Sequence, residues 1–248
     1  MLHRFRNRRA IGTRSAVLIA LFFLCRCVAA QDGVAPQELT IVAFGDSTTA
    51  LRSTVDEVYA DRLPALLKAE GIEAKVINSG VGGSHTGHLK DNALHKRQHA
   101  LDRFQTAVRD HHPQIVIIQY GWNDSWVDTG GEEAASRISL DDYRANLRYM
   151  ITTLHKDGAK VILMTPNRPK ATMEAWRVER TEHYVDAVRK LAAELKTPLV
   201  DVWKAYAQYD AIDGQSMDDL LVDEVHPGDR GHALVAKRLA KQISTLVP

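Results

Sequence analysis

Ser47, Asp223 and His226 carry the side chains whose types and spacing in this 248-residue chain could do covalent chemistry. Ser47 follows Gly45-Asp46 at the end of an apolar run, Leu39 to Phe44, so a tight turn there would expose its hydroxyl. An alcohol near neutral pH is a weak nucleophile and needs a base beside it to take its proton as it attacks. Histidine is the side chain suited to that task near working pH, and His226 is the candidate. Its ring must turn one bare nitrogen to the serine while its other N–H is held. Asp223, three residues earlier, can reach back to hold it. A developing oxyanion would need donors aimed at it: the backbone N–H groups of Ser47 and Gly83 and the side-chain amide of Asn123 are the candidates. Glycine at 83 suits a backbone that must approach a substrate closely. Asp46, Asn78 and Asp124 read as loop-holding residues that bond to nearby backbone.

Elements able to bring these residues together are legible in the hydrophobic pattern. Near-continuous apolar runs at 39–44, 75–78, 114–119, 160–165 and 198–201 read as strands buried on both faces. Amphipathic helical patterns lie near 57–70, 86–110, 140–157 and 179–196, with a final helix near 228–246. Residues 206–219 read as a long loop delivering the Asp223/His226 pair. Alternation of strand and helix predicts a three-layer α/β/α sandwich around a five-stranded parallel sheet. Ligands of such sheets bind at the carboxyl ends of the strands. Ser47, the Asn78–Gly83 segment and the Gly121–Asp124 segment each follow one of the first three strands, so all three fall on one rim.

Residues 1–30 read as a secretory signal peptide: Arg4, Arg6, Arg8, Arg9 and Arg14, an apolar core from Ala16 to Leu24, and Val28-Ala29-Ala30 before Gln31. The apolar core is too short for a membrane span, which needs about 20 residues. Cleavage near Ala30 predicts a periplasmic or extracellular domain of residues 31–248. It would remove both cysteines, Cys25 and Cys27, so the mature chain would have no disulfide. It would also remove six of the 32 basic residues, leaving 26 against 31 acids. That acidic balance excludes a nucleic-acid binder, which needs a clustered basic face. Pattern alone leaves open a retained anchor and the choice of export route.

Four short segments together resemble the GDSL/SGNH hydrolase superfamily: Phe44-Gly45-Asp46-Ser47-Thr48, Asn78 with Gly83, Gly121 with Asn123-Asp124, and Asp223 with His226-Pro227. They occur in the family's order and span 44–227. The resemblance implies a flavodoxin-like SGNH hydrolase fold and the same pairing of Asp223 with His226. It also implies hydrolysis of a carboxylic ester through an acyl-serine intermediate, with no cofactor and no metal. Thr48 replaces the family's name-giving leucine, as in the branch acting on acetylated sugars. Gly82 to Thr86 departs from the commoner Gly-Asp block, so a differently shaped oxyanion loop is expected. The GxSxG elbow of the α/β-hydrolases is absent. With export weighing against acyl-CoA substrates and no apolar lid visible, the expected substrate is a small-molecule or polysaccharide ester, with O-deacetylation of a carbohydrate first. A lysophospholipase or arylesterase taking longer acyl chains, and a non-catalytic carbohydrate-binding relative, are the alternatives.

Other chemistry-bearing residues have competing readings. Gly80 to Gly83 is glycine-rich after a strand but lacks GxGxxG and Walker patterns. His88, His95 and His99 share one face of the expected 86–110 helix and read as solvated rather than metal-ligating. His232 reads as structural, and His85, inside the oxyanion loop, as a candidate substrate contact. Trp122 leans towards the site, where its ring could stack on a sugar, while Trp126 and Trp176 stay undecided. Arg168, Lys170 and Arg177 read as solvated surface.

Overall fold

The computed structural model describes residues 38–92 and 96–247. The signal-peptide assignment to 1–30 and the reading of His95 lie outside the described residues. Five strands, β1 (Leu39–Gly45), β2 (Ala74–Gly80), β3 (Ile115–Gln119), β4 (Lys160–Met164) and β5 (Leu199–Val200), form one sheet in the order β2-β1-β3-β4-β5. Every neighbouring pair is parallel. The helices are α1 (Tyr59–Ala69), α2 (Ala100–Ala107), α3 (Trp122–Ser125), α4 (Leu140–Lys156), α5 (Ala175–Glu194), α6 (Val202–Asp210) and α7 (Asp229–Ser244).

Alternate side chains of each strand feed opposite faces, because the strand repeat is two residues. Val42, Phe44, Val116, Ile118, Val161 and Leu163 pack against Phe104 of α2, Leu147 and Ile151 of α4, and Val188 and Leu191 of α5. Ile41, Ala43, Ile115, Ile117, Ile162 and Met164 pack against Leu63 and Leu67 of α1, Tyr206 of α6, and Val235 and Leu239 of α7. The result is the three-layer sandwich expected from the apolar runs. Local chemistry starts α4 where the periodicity places it. Ser139 accepts the backbone N–H of Asp142, and Asp141 and Asp142 complement the helix dipole.

Two expected elements come out differently. Among the described residues of the helix expected over 86–110, the α-helical part is α2, because the carboxylate of Asp102 bonds residues that precede it outside any helix. It accepts the backbone N–H groups of Leu89 at 2.8 Å and His99 at 2.9 Å, and bonds the His88 ring at 2.9 Å. The loop expected over 206–219 instead contains the end of α6 and a short 3-10 turn, Met217–Leu220. Burial of Tyr206 and Leu220 under α7 fixes both.

The order of strands fixes where a site can form. From β1 the chain goes to one side, to β2, and then crosses to β3 on the other side of β1. The carboxyl ends of β1 and β3 therefore sit beside each other where the connections diverge, with Gly45 in register with Gln119 and with Gly80.

Candidate active site

The turn after β1 is built around a buried acid. Asp46 accepts the Thr48 backbone N–H at 2.9 Å and the Thr48 hydroxyl at 2.8 Å. Thr48, in the place of a leucine, thus clamps the turn through its hydroxyl. Of residues 41–49, Ser47 alone is not buried. Asn78, at the end of β2, bonds the Thr49 carbonyl through its amide at 2.8 Å, and its carbonyl accepts the Gly80 N–H at 2.9 Å. A Cβ on Gly80 would stand 2.3 Å from the Ala50 nitrogen, so only glycine lets β2 come this close to the serine turn.

The loop carrying the acid and the histidine is a closed hairpin. Leu221 bridges Pro227, and the Val222 N–H donates to the His226 carbonyl at 3.0 Å. Within it, Asp223 accepts the backbone N–H groups of Val225 at 2.9 Å and His226 at 2.7 Å. The His226 ring places Nδ1 2.8 and 3.0 Å from the two Asp223 oxygens, and Nε2 2.9 Å from Ser47 Oγ. Partial burial pushes the Asp223 carboxyl up, but the His226 and Val225 N–H groups and the His226 ring outweigh it, so the acid lies below the usual carboxylate range. An ionised acid at this point favours a held Nδ1–H and a bare Nε2 facing Ser47. Arg52 stands 3.5 Å from the same carboxylate.

The remaining rim comes from the ends of β2 and β3. A Cβ on Gly82 would lie 3.7 Å from Ser47 Cβ, so the 82–83 segment runs alongside the serine, and Gly83 has a φ of +74°. Asn123, in α3, donates from Nδ2 to Asp46 at 3.2 Å. Its carbonyl oxygen accepts from Arg137 at 3.1 Å. Burial pushes the Asp46 carboxyl above its ordinary range, against the opposing bonds from Thr48. Asp124 is fully buried and holds the glycine loop, accepting the Thr86 N–H at 2.8 Å and hydroxyl at 2.5 Å.

Two candidate substrate contacts turn out to be supports. Trp122 is 5% exposed, packs with Val185 and Trp203, and donates its indole N–H to the Asn167 carbonyl at 3.2 Å. Asn167 in turn donates to the Val225 carbonyl at 2.7 Å, so Trp122 braces the histidine loop from beneath. His85 is buried, with its ring stacked on that of His99 at 3.5 Å between centroids. Burial first, and then the facing His99, lower its pKa to about 4, so it stays neutral. His99, read as solvated, is buried. His232 is buried as well and accepts the Tyr59 N–H at 3.2 Å. Arg177, also read as solvated, lies between Trp126 and Trp176, 4.3 and 4.2 Å from the ring centroids. Arg168 stands over Trp203 at 5.5 Å. A cavity of about 580 Å³ beside Trp176, Arg180 and Tyr184 includes none of Ser47, Asp223 and His226. Among the described residues no three His, Cys, Asp or Glu side chains form a metal-binding group.

Two arginines at the site carried no sequence signal of their own. Arg103 is buried and donates to the carbonyls of Ser79 and Gly45 and to the Tyr120 hydroxyl, at 2.5, 2.9 and 2.7 Å. It thereby ties together the carboxyl ends of β2, β1 and β3. The only hint in sequence was its place beside Phe104, on the apolar face of α2. Arg137 lies 14 residues beyond Asn123, in a segment without periodicity.

Residues 43–234 match the model of the GDSL-like lipase/acylhydrolase family. The chain belongs to that family. It is accordingly a carboxylic ester hydrolase. Among curated relatives, a Bacillus subtilis protein named as an uncharacterized lipoprotein, YqeF, is 30% identical, covering 82% of this chain and 85% of its own. The isoamyl acetate-hydrolyzing esterase of Saccharomyces cerevisiae is 27% identical, over 57% of this chain and 62% of its own. Among solved structures, a lipase/acylhydrolase from Enterococcus faecalis superposes with a TM-score of 0.68 at 27% identity, covering 85% and 97% of the two chains. Axe2, an acetylxylan esterase from Geobacillus stearothermophilus, does so with a TM-score of 0.66 at 23% identity, covering 83% and 94%. No helix among the described residues is long and apolar enough to cross a membrane.

Proposed function

We propose that the chain is an exported serine esterase that removes short acyl groups, acetyl first, from a carbohydrate. The observation that carries the chemistry is the line from Asp223 through His226 to Ser47, with Nε2 2.9 Å from the hydroxyl oxygen. Ser47 Oγ attacks the ester carbonyl carbon as its proton passes to His226 Nε2. The carbonyl electron pair moves onto oxygen, where the N–H groups of Ser47 and Gly83 and the second N–H of Asn123 receive it. Collapse breaks the bond to the alcohol, which leaves with the proton from His226. Water then repeats the sequence on the acyl-serine and releases the acid. Asp223 holds the imidazole in the required tautomer throughout.

Acetyl is favoured because the yeast relative is named for hydrolysing an acetate ester. Export is supported by the lipoprotein name of the Bacillus relative and by the composition of residues 1–30. One observation favours longer acyl chains: Leu51 and Val222, neighbours in sequence of Arg52 and Asp223, are 70% and 41% exposed. The two readings separate on p-nitrophenyl esters from acetate to octanoate, assayed with wild type and Ser47→Ala. The proposal expects the highest kcat/KM on acetate and loss of turnover in the variant. Preference for octanoate would transfer the assignment to a lipid ester. Ser47-independent turnover would remove the serine mechanism.

A further inference from the structure

A primary amide can donate to an oxyanion only if its nitrogen, and not its oxygen, faces the substrate. Nothing in an asparagine side chain enforces that choice, because the two ends are nearly isosteric. Around Asn123 the surroundings enforce it from both ends. The carboxylate of Asp46 can only accept while ionised, and takes one Nδ2 hydrogen at 3.2 Å. The guanidinium of Arg137 can only donate, and gives Nη1–H to Oδ1 at 3.1 Å. Reversing the amide would set its N–H groups against the arginine and its oxygen against the acid.

Arg137 is itself held firmly. Its side chain is 7% exposed, and Nε and Nη2 both reach Asp128 Oδ1, at 2.9 and 2.6 Å. Its backbone N–H donates to the Trp126 carbonyl at 2.9 Å, which closes the 126–137 segment over α3. Because Asp128 engages the Nε and Nη2 side of the fork, Nη1 is fixed in direction towards Asn123. The positive guanidinium beside the amide oxygen also draws electron density from the nitrogen, which strengthens the Nδ2–H donor.

We infer that Arg137 is a positioning residue for the reaction: it orients and polarises the Asn123 amide so that its second N–H meets the oxyanion. This rests on the reading of Asn123 as an oxyanion donor. It predicts an effect on kcat transmitted wholly through Asn123, since the donor acts on charge that develops only in the transition state.

A double-mutant cycle on p-nitrophenyl acetate tests it. Asn123→Ala should lower kcat by roughly 10²–10³-fold with KM little changed. Arg137→Ala should lower kcat by about 10²-fold in wild type, as misplacement of a catalytic group does. In the Asn123→Ala background it should have almost no further effect. Arg137→Lys should recover part of the loss, as a cation that cannot serve both partners. An Arg137→Ala loss of equal size in both backgrounds would overturn the proposal, since it would mark a structural role. So would an unchanged kcat in Arg137→Ala alongside a damaged Asn123→Ala, with the oxyanion reading left standing. An unchanged kcat in Asn123→Ala would overturn that reading first. Should Arg137→Ala fail to fold, the same cycle run with Arg137→Lys decides by the same criterion.

Discussion

Ser47, His226 and Asp223 meet because a seven-residue hairpin, 221–227, carries two of them at a fixed separation and α7 anchors it against α1. Within that hairpin the choice between Asp223 and its neighbour Glu224 is unambiguous. Glu224 points to the Thr172 hydroxyl at 3.1 Å, away from the imidazole. Asp223→Asn should therefore reduce kcat by about 10⁴-fold, because a neutral amide can fix the wrong imidazole tautomer. Its Oδ1 would still accept the Val225 and His226 N–H groups, so the circular dichroism spectrum and Tm should change little. Glu224→Gln should leave kcat within about twofold, in line with a surface substitution. Reversal of the two phenotypes would reassign the acid.

At the scale of elements, the site depends on how closely the loops after β1, β2 and β3 approach. Gly80→Ala tests the first contact. Its new methyl would meet the backbone of Thr49 and Ala50, which cannot rotate away as a side chain could. Overpacking of this kind costs about 1–3 kcal/mol, and chemical denaturation should show it together with a fall in kcat, since the displaced segment carries Ser47. Asp124 tests the second contact. Burial pushes its carboxyl up to about 7, although the Thr86 bonds pull the other way. An unfolded aspartate releases its proton near pH 3.9, so between that value and 7 the folded chain holds a proton the unfolded chain has lost. The associated stability is fully present below about pH 3.9 and is lost as pH rises through 7. Asp124→Asn keeps an acceptor for Thr86 but cannot ionise. Its Tm relative to wild type should therefore climb between about pH 4 and 8; a constant difference would contradict the buried neutral acid.

For the whole molecule, two buried histidines set an opposing dependence on pH. Burial, reinforced by His99 for His85 and by Arg62 for His232, lowers both to about 4. Unfolded histidine takes its proton near pH 6.5, so acidification favours the unfolded chain first. The stability is present above about pH 6.5 and is lost as pH falls to about 4, with no further loss from these groups below that. His232→Gln, which can still accept the Tyr59 N–H, should flatten Tm against pH in that window. An unaltered slope would show that the acid sensitivity comes from elsewhere.

The five strands, the helices near 57–70, 140–157, 179–196 and 228–246, and Ser47, Asp223, His226 and Asn123 as candidates for the chemistry were legible in sequence, because apolar periodicity and reactive side-chain type are properties of short segments. Asp46 and Asn78 were legible as loop-holders through their bonds two residues away, to Thr48 and Gly80, whereas the Asn78 bond to Thr49 and the Asp124 bonds to Thr86 span 29 and 38 residues and had to await the fold. Trp122, His85 and His99 were not. A tryptophan or histidine can serve a surface or a core equally well, and only the packing of Val185 and Trp203 on one, and of two stacked rings on the others, decided for the core. Asp102 holds His88 and Leu89 outside a helix by bonds across 14 and 13 residues, which no local propensity encodes. Arg103 and Arg137 belong to the same class. Sequence by itself thus determined which residues could react and on which edge of a parallel sheet they would gather. Tertiary structure alone decided which neighbours hold them in aim, because a buried charge takes its role from partners that the chain brings together only on folding.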